Sequence, residues 1–232
     1  DEASSQGSFV QTYLVHKYEN IASQILSRLP GDYGAMVAST ICAFSIYCFV
    51  SNASLIRPLG EVGRLRITQD LADFELILEQ LIFKGGGSTP LNQIFGGKPY
   101  AELRAVRQML FWNGLEDKTL SSERVSKAFF REVWVKDVRP STAFHFLFTF
   151  APTLLSSPHH SCRMSAEEYV RNLVKLDGSV EDGEGKAWMT TMSCCDAYAQ
   201  RESIDGGVSI GDRRIPAILM IIGPELLRRR RY

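Results

Sequence analysis

Apolar residues recur every three or four positions between Arg66 and Lys84 and form one stripe. The apolar stripe consists of Ile67, Leu71, Phe74, Leu78 and Leu81. The opposite positions are Gln69, Asp70, Asp73, Glu75 and Glu79. Because an α-helix repeats every ~3.6 residues, this spacing predicts one amphipathic helix with a buried stripe and a solvated face.

A second apolar segment precedes this helix and ends in an abrupt break. Asp32 is a candidate cap for a helix over Tyr33 to Ser51. The break itself consists of Arg57, Pro58, Leu59 and Gly60. Proline lacks an amide donor and glycine relaxes the backbone, so we predict a structural corner that joins two packed helices. The stripe is expected to pack on Ile41, Phe44 and Cys48.

Helical periodicity also dominates the rest of the chain, with Gly-, Ser- and Pro-rich loops between the periodic segments. The predicted helices are approximately Pro99 to Phe111, Ser121 to Trp134, Ser141 to Ala151, Ser165 to Leu176, Trp188 to Tyr198 and Pro216 to Leu226. Ser165 and Glu168 form a capping box. No alternating strand and no internal repeat is present, so the predicted class is all-α, built of antiparallel helical bundles.

The loops divide the chain into three predicted units. Residues 1–31 form a leading segment with a disordered start and then a helix, and residues 32–97 form a helical hairpin with a glycine-rich loop. Residues 98–232 form a carboxy-terminal bundle, which is alternatively one continuous domain with 32–97. The chain starts at Asp1 without a Met, so we expect a piece of a longer protein.

Composition excludes some classes of function. With 232 residues, 45% hydrophobic and 22% charged, the chain is an ordinary globular protein that can bury a core without crosslinks. The formal net charge is zero, which disfavours a nucleic-acid partner. The 5 cysteines are an odd number and indicate a reducing compartment.

One stretch raises the question of a membrane span. Met36 to Val50 reads MVASTICAFSIYCFV and would cover only ~22 Å as a helix, less than the ~30 Å of a hydrocarbon core. We therefore interpret it as a buried core helix. The terminal run Arg228 to Arg231 could contact anionic lipid, but a solvated helix end is the preferred interpretation.

Enzyme motifs are incomplete. Lys98 follows two glycines as in a phosphate-binding loop, but Pro99 stands where Ser or Thr should hold magnesium. The sharpest catalytic candidate is a zinc or thiol site formed by His159, His160 and Cys162. Zinc prefers four tetrahedral ligands in short-spaced pairs, and no second pair is evident. We therefore expect no metal, no cofactor and no catalytic residues, and keep a zinc- or thiol-dependent enzyme as the alternative.

Two other residue types remain open between core and surface roles. His145 lies in an apolar run and is expected to be a satisfied core histidine rather than a base for a thiol nucleophile. Trp112 and Trp134 are equally compatible with a partner contact and with burial in the core.

Several segments of the chain form a recognisable series. The most specific are SNASLIRPLGE at Ser51 to Glu61 and RITQDLADFEL at Arg66 to Leu76. The others are YAELRAVRQMLF from Tyr100, FHFLFTFAPTLLSSP from Phe144, AYAQ from Ala197 and IPAILMII from Ile215. In this order they resemble the family of the fifth subunit of the conserved oligomeric Golgi (COG) complex. The likeness runs from about Ala35 to Leu227, with departures at Val62, in the Gly85 to Gly97 loop and in the added length of Lys118 to Lys136.

The resemblance implies a carboxy-terminal portion of a subunit of a vesicle-tethering complex that acts in intra-Golgi retrograde transport. It implies a rod of helical bundles without catalytic residues, attached peripherally to the cytosolic face of the Golgi membrane. It also implies partners: the seventh subunit first, the sixth and eighth subunits in the same lobe, and Golgi SNAREs.

Overall fold

The chain folds as packed helices throughout the part that the computed structural model describes. The described residues are 8, 10–56, 59–86, 97–149, 159, 163–174 and 214–230. The helices are α1 (Val15–Gln24), α2 (Gly31–Ser54), α3 (Glu61–Lys84), α4 (Tyr100–Leu110), α5 (Ser122–Phe129), α6 (Pro140–Thr149), α7 (Ala166–Val174) and α8 (Arg214–Arg230). A π-helical turn at Val10–Leu14 and 3-10 helices at Leu26–Arg28 and Val133–Asp137 complete them. No strand occurs in these ranges, which confirms the all-α prediction.

The helices α2 and α3 pack against each other in antiparallel orientation. The Cys42 thiol lies 3.8 Å from the carbonyl oxygen of Leu78, and the ring of Phe49 stacks on that of Phe74 at 4.7 Å. Near the other end of α2, a Cβ placed on Gly34 would lie 2.7 Å from the Gly85 carbonyl oxygen. The two helices therefore run in opposite directions. Their backbones approach closely where the start of α2 meets the end of α3.

The apolar stripe of α3 faces this core. Its five side chains, Ile67, Leu71, Phe74, Leu78 and Leu81, are all buried. The expected partner face on α2 is wrong in part, because Phe44 is 57% exposed and the buried positions are Ala38, Cys42, Ile46 and Val50. The reason is that α2 is apolar on every side, so helical periodicity does not reveal which of its faces packs.

The remaining helices extend the same core. The helix α4 runs antiparallel to α3, since Glu79 lies near Tyr100 and Glu75 pairs with Arg104 and Arg107. The helix α8 packs on α5 and α6, and both α6 and α7 pack on α2. One hydrophobic cluster extends from Val10 to Leu226 and includes buried residues of every described helix except α7. The predicted division of the chain into three units stays a prediction.

Helix ends depart from expectation where the cap is not the predicted residue. The helix α2 begins at Gly31 with Pro30 as N-cap, so Asp32 lies inside its first turn and does not cap it. The predicted Ser121 to Trp134 helix ends at Phe129, and a 3-10 helix follows. The cap by Ser165 is confirmed, because its hydroxyl oxygen accepts a hydrogen bond from the Glu168 amide at 3.1 Å.

The corner before α3 is described at two of its four positions. Leu59 is buried, and Gly60 is the N-cap of α3. Gly60 has φ −79° and ψ −179°, a conformation open to any residue, and nothing lies within 4 Å of a Cβ added there. The freedom of glycine is therefore not needed at Gly60. Arg57 and Pro58 lie outside the described residues.

The helix α2 is longer than the sequence pattern predicted. It has 24 residues and is, by length and composition, the one described helix that could cross a membrane. The length argument against a membrane span therefore does not hold. Packing against α3, α4, α6 and α7 favours a core helix, although only 33% of its most apolar stretch is buried.

Candidate interaction sites

A buried ion pair connects α2, α4 and the start of α6. The Glu102 carboxylate on α4 accepts hydrogen bonds from Arg139, at 2.8 and 3.0 Å from Nε and 3.1 Å from the backbone amide. The Thr142 hydroxyl on α6 donates to the same carboxylate at 2.8 Å. The side chains of Arg139 and Glu102 are only 11% and 2% exposed. The pair therefore fixes the start of α6 against α4.

The same guanidinium also reaches α2. Its Nη2 donates to the Ser51 hydroxyl at 3.1 Å, and its Cζ atom lies 4.6 Å from the centre of the Tyr47 ring. Arg139 thus connects α2 to α4 through charge, hydrogen bonding and a cation–π contact. The sequence pattern does not predict this cluster. The one signal of burial in the sequence is that Glu102 shares a helix face with the apolar Val106 and Met109.

A second carboxylate holds α4 to α3. Glu75 pairs with Arg104 at 2.8 Å and also with Arg107, and its side chain is only 13% exposed. The prediction that Glu75 lies on the solvated face is therefore wrong. The cause is the packing of α4 along the edge of that face, which the periodicity of α3 alone does not predict.

No described cysteine is an activated nucleophile. Burial raises the pKa of the Cys42 thiol to about 11 and also raises the pKa of Cys48. A thiol with a raised pKa carries little thiolate near neutral pH, which is unsuited to nucleophilic chemistry. His145 is buried and its Nε2 lies 2.9 Å from the Tyr169 hydroxyl, so it links α6 to α7.

The zinc candidate lies mostly outside the described residues. His160 and Cys162 are not described, and the carbonyl oxygen of His159 accepts a hydrogen bond from the Met164 amide at 3.0 Å. Among the described residues, no group of three or more potential metal ligands occurs. A groove of about 230 Å³ beside α4 is lined by Ala101, Arg104, Ala105, Gln108, Val133, Trp134, Lys136 and Asp137, without Cys or His.

The described tryptophans belong to the core. Trp112 and Trp134 are both buried, and each makes an edge contact with the Phe129 ring, at 5.4 and 5.3 Å between centroids. Their role as partner contacts is therefore wrong, and the alternative of a core role is confirmed.

The carboxy-terminal helix is anchored at its first residue. The Arg214 guanidinium donates hydrogen bonds to the carbonyl oxygens of Leu115, Asp117 and Leu120, at 2.8, 2.7 and 2.9 Å. At the other end of α8, Arg228 pairs with Glu225 at 2.8 Å. Arg231 and the side chains of Arg229 and Arg230 lie outside the described residues, and the solvated end of this helix stays a prediction.

Comparison with curated proteins identifies relatives. The chain is 30% identical over 209 residues to conserved oligomeric Golgi complex subunit 5 of Arabidopsis thaliana, which covers 86% of this chain and 22% of that protein. It is 37% identical over 122 residues to the subunit of the same name from Mus musculus, which covers 52% of this chain and 12% of that protein. No protein-family model and no solved structure matches the chain.

These matches confirm the resemblance that the motifs indicated. The chain spans less than a quarter of the length of either relative, which agrees with a portion of a longer subunit.

Proposed function

This chain is a relative of COG subunit 5 over most of its length, and from that premise we propose that it is a non-enzymatic segment of a Golgi vesicle-tethering subunit. The observation that carries the proposal is the 30% identity sustained over 86% of the chain. We place the segment in the carboxy-terminal portion of the subunit.

The described polar clusters support a scaffold rather than a catalyst. The pair of Glu102 with Arg139, and the cluster of Glu75 with Arg104 and Arg107, each hold one helix against another through ion pairs. Catalytic acids and bases instead need an accessible reacting atom and a pKa near the working pH. The geometry of these groups therefore supports rigidity of the helical assembly.

The resemblance also supports a proposal for the transport step and the partners. We propose that the segment supports intra-Golgi retrograde transport through contacts with other COG subunits, foremost the seventh and then the sixth and eighth. Golgi SNAREs are further proposed partners. The subunit is attached peripherally to the cytosolic face of the Golgi membrane. A net charge of zero agrees with attachment through proteins rather than through a general electrostatic attraction to lipid.

Deletion of the segment from the full-length subunit tests the proposal. In cells that lack the endogenous subunit, we expect full-length protein to restore cell-surface glycosylation and to copurify the other COG subunits. A version without this segment is expected to restore neither fully, at equal expression. Normal glycosylation and normal copurification without the segment would contradict the proposed role.

Metal analysis separates this proposal from the enzyme alternative. We expect the purified chain to contain no stoichiometric zinc, and a variant with His159→Ala, His160→Ala and Cys162→Ser to melt at the same temperature as the wild type. One zinc per chain that is lost in this variant would favour the zinc-dependent enzyme.

A further inference from the structure

The helix α2 presents an uncharged apolar face that is covered along only half of its length. Tyr33, Met36, Thr40, Phe44 and Tyr47 follow one another at intervals of three or four residues and therefore share this face. Tyr33, Met36 and Phe44 are 63%, 58% and 57% exposed. These three residues and Thr40 define what we call the open α2 face.

Other helices cover the continuation of the same face. Tyr47 and Cys48 pack against Leu55, Tyr169 and Val170 where α7 crosses α2. Ser51 is buried beneath the Arg139 guanidinium. The face is thus a helix-binding surface over its carboxy-terminal half, and the open part extends that surface in line.

We propose that the open α2 face binds an amphipathic helix of another subunit, which presents an uncharged apolar stripe and continues the layer formed by α7. This inference rests on the proposed function, because it requires that the chain belong to a multisubunit complex. It specifies which surface meets a partner and which chemistry that partner presents.

The charge pattern selects this kind of partner. Between Asp32 and Arg57 the sequence contains no charged residue, so a charged stripe docked here would lose water without gaining an ion pair. A lipid surface is disfavoured by the same observation, because helices that lie on membranes combine an apolar face with flanking Lys and Arg.

The short length of the open α2 face disfavours a second copy of this chain as the occupant. The face ends at Phe44, because α7 covers its continuation around Tyr47 and Leu55. A contact between two such short faces is smaller than the ~1,200–2,000 Å² that a stable interface buries, so it would not hold a free dimer together. A helix of another subunit needs no such area, because further contacts within the complex hold it in place.

The size of the open α2 face sets the expected affinity for the partner helix. From Tyr33 to Phe44 the face is ~16 Å long, or three turns. Three large side chains that are more than half exposed offer ~100 Å² each, so the contact would bury ~1,000 Å² over both partners with its rim. Such an area is at the low end for specific interfaces, and it adds to other contacts within a complex rather than holding a partner alone.

Charge substitution in the assembled complex tests the proposal. Met36→Glu and Phe44→Glu are introduced into the full-length subunit, which is coexpressed with the other COG subunits. We expect each variant to retain about tenfold less of one partner subunit in a pull-down that is washed with salt. The matched control is Leu76→Glu on α3, which is 55% exposed but lies on a different helix. All three variants are checked by thermal melting, since exposed positions should leave the fold intact.

A photo-crosslinker identifies the occupant directly. With benzoylphenylalanine at position 44, we expect the crosslink to map to an apolar helix of another COG subunit. Crosslinks to lipid, to a second copy of this chain or to another part of the same polypeptide would each overturn the inference, as would an intact complex with no crosslink and full retention. If wild-type protein fails to copurify COG subunits at all, the proposed function itself fails.

Discussion

The carboxylate of Glu102 is almost inaccessible to water, yet three donors satisfy it. The Arg139 backbone amide, the Arg139 Nε and the Thr142 hydroxyl donate hydrogen bonds to its two oxygens. A buried ion pair adds little net stability over an apolar pair of the same volume, but the loss of one partner leaves the other charge buried and uncompensated. The cluster therefore contributes most to the specificity of how α2, α4 and α6 meet.

Removal of this carboxylate should be strongly destabilising. We expect Glu102→Ala to lower the free energy of unfolding by ~3–5 kcal/mol, because the Arg139 charge stays buried without its partner. The control is Glu167→Ala, whose ion pair with Arg171 is exposed and should contribute less than ~0.5 kcal/mol. Urea denaturation of both variants measures the difference. Similar losses in the two variants would contradict the role of the cluster.

Restoration by an apolar pair separates the charge effect from packing. The double variant Glu102→Leu with Arg139→Met should recover much of the stability that Glu102→Ala loses, because no uncompensated charge remains. No recovery would mean that the carboxylate contributes through the geometry of its hydrogen bonds rather than through charge balance.

The buried thiol of Cys42 should lower the free energy of unfolding at alkaline pH. Burial raises the pKa of this thiol to about 11, whereas an unfolded cysteine titrates near ~8.5. Between these values the folded state binds more protons than the unfolded state, so the free energy of unfolding falls as pH rises. We expect a smaller loss from pH 8 to ~10.5 in Cys42→Ala than in wild type, measured by urea denaturation. Equal losses would show that the thiol does not titrate differently in the two states.

Sequence patterns predict single residues unevenly. The burial of Leu71 and Leu78 follows from their spacing, because one helix fixes which positions share a face. The pairing of Glu102 with Arg139 does not follow, because the two residues meet only after three helices have packed. Charged residues are placed on the surface by default, and only the tertiary structure identifies the exceptions.

At the scale of elements, α3 offers a matched pair of leucines. Leu71 is fully buried and Leu76 is 55% exposed on the same helix. We expect Leu71→Ala to cost ~2–5 kcal/mol of unfolding free energy, because it removes buried methyl groups and leaves a cavity. Leu76→Ala should change stability by less than ~0.5 kcal/mol. Thermal or urea melting compares them, and an unchanged curve for Leu71→Ala would contradict the packing.

The close approach of α2 to the end of α3 depends on a glycine. A Cβ at Gly34 would lie 2.7 Å from the Gly85 carbonyl oxygen, so Gly34→Ala must push the two backbones apart. We expect a loss of ~1–3 kcal/mol from this overpacking. Gly60→Ala is the control, since its Cβ would meet open space and its conformation suits alanine, which makes it neutral or slightly stabilising. Melting temperatures that fall equally would contradict the close contact.

The sequence predicts where helices form better than it predicts which of their faces pack together. The amphipathic α3 shows both its length and its buried face in sequence, whereas α2 is apolar on all sides and shows only that it is a helix. The end of α5 at Phe129 was also missed, because Val133 continues the spacing of Val125 and Phe129 although the backbone has changed to a 3-10 helix.

At the scale of the molecule, the described helices should unfold together. One hydrophobic cluster extends from Val10 to Leu226, so no described helix other than α7 has a core separate from the rest. We expect the loss of helix, followed by circular dichroism, to coincide with the exposure of Trp112 and Trp134, followed by fluorescence in a Trp188→Phe background. Two transitions with separate midpoints would instead favour division near residue 97, as the loop composition predicted.

The hydrogen bonds of Arg214 have a consequence for synthesis on the ribosome. The carbonyl groups of Leu115, Asp117 and Leu120 are translated nearly a hundred residues before the guanidinium that binds them. Until α8 has left the exit tunnel, the nascent chain holds α5 and α6 with an uncovered apolar surface. Completion of this region therefore waits for a segment that is synthesised late relative to α5 and α6, and a product that stops before residue 214 would be a substrate for chaperones rather than a shortened native domain.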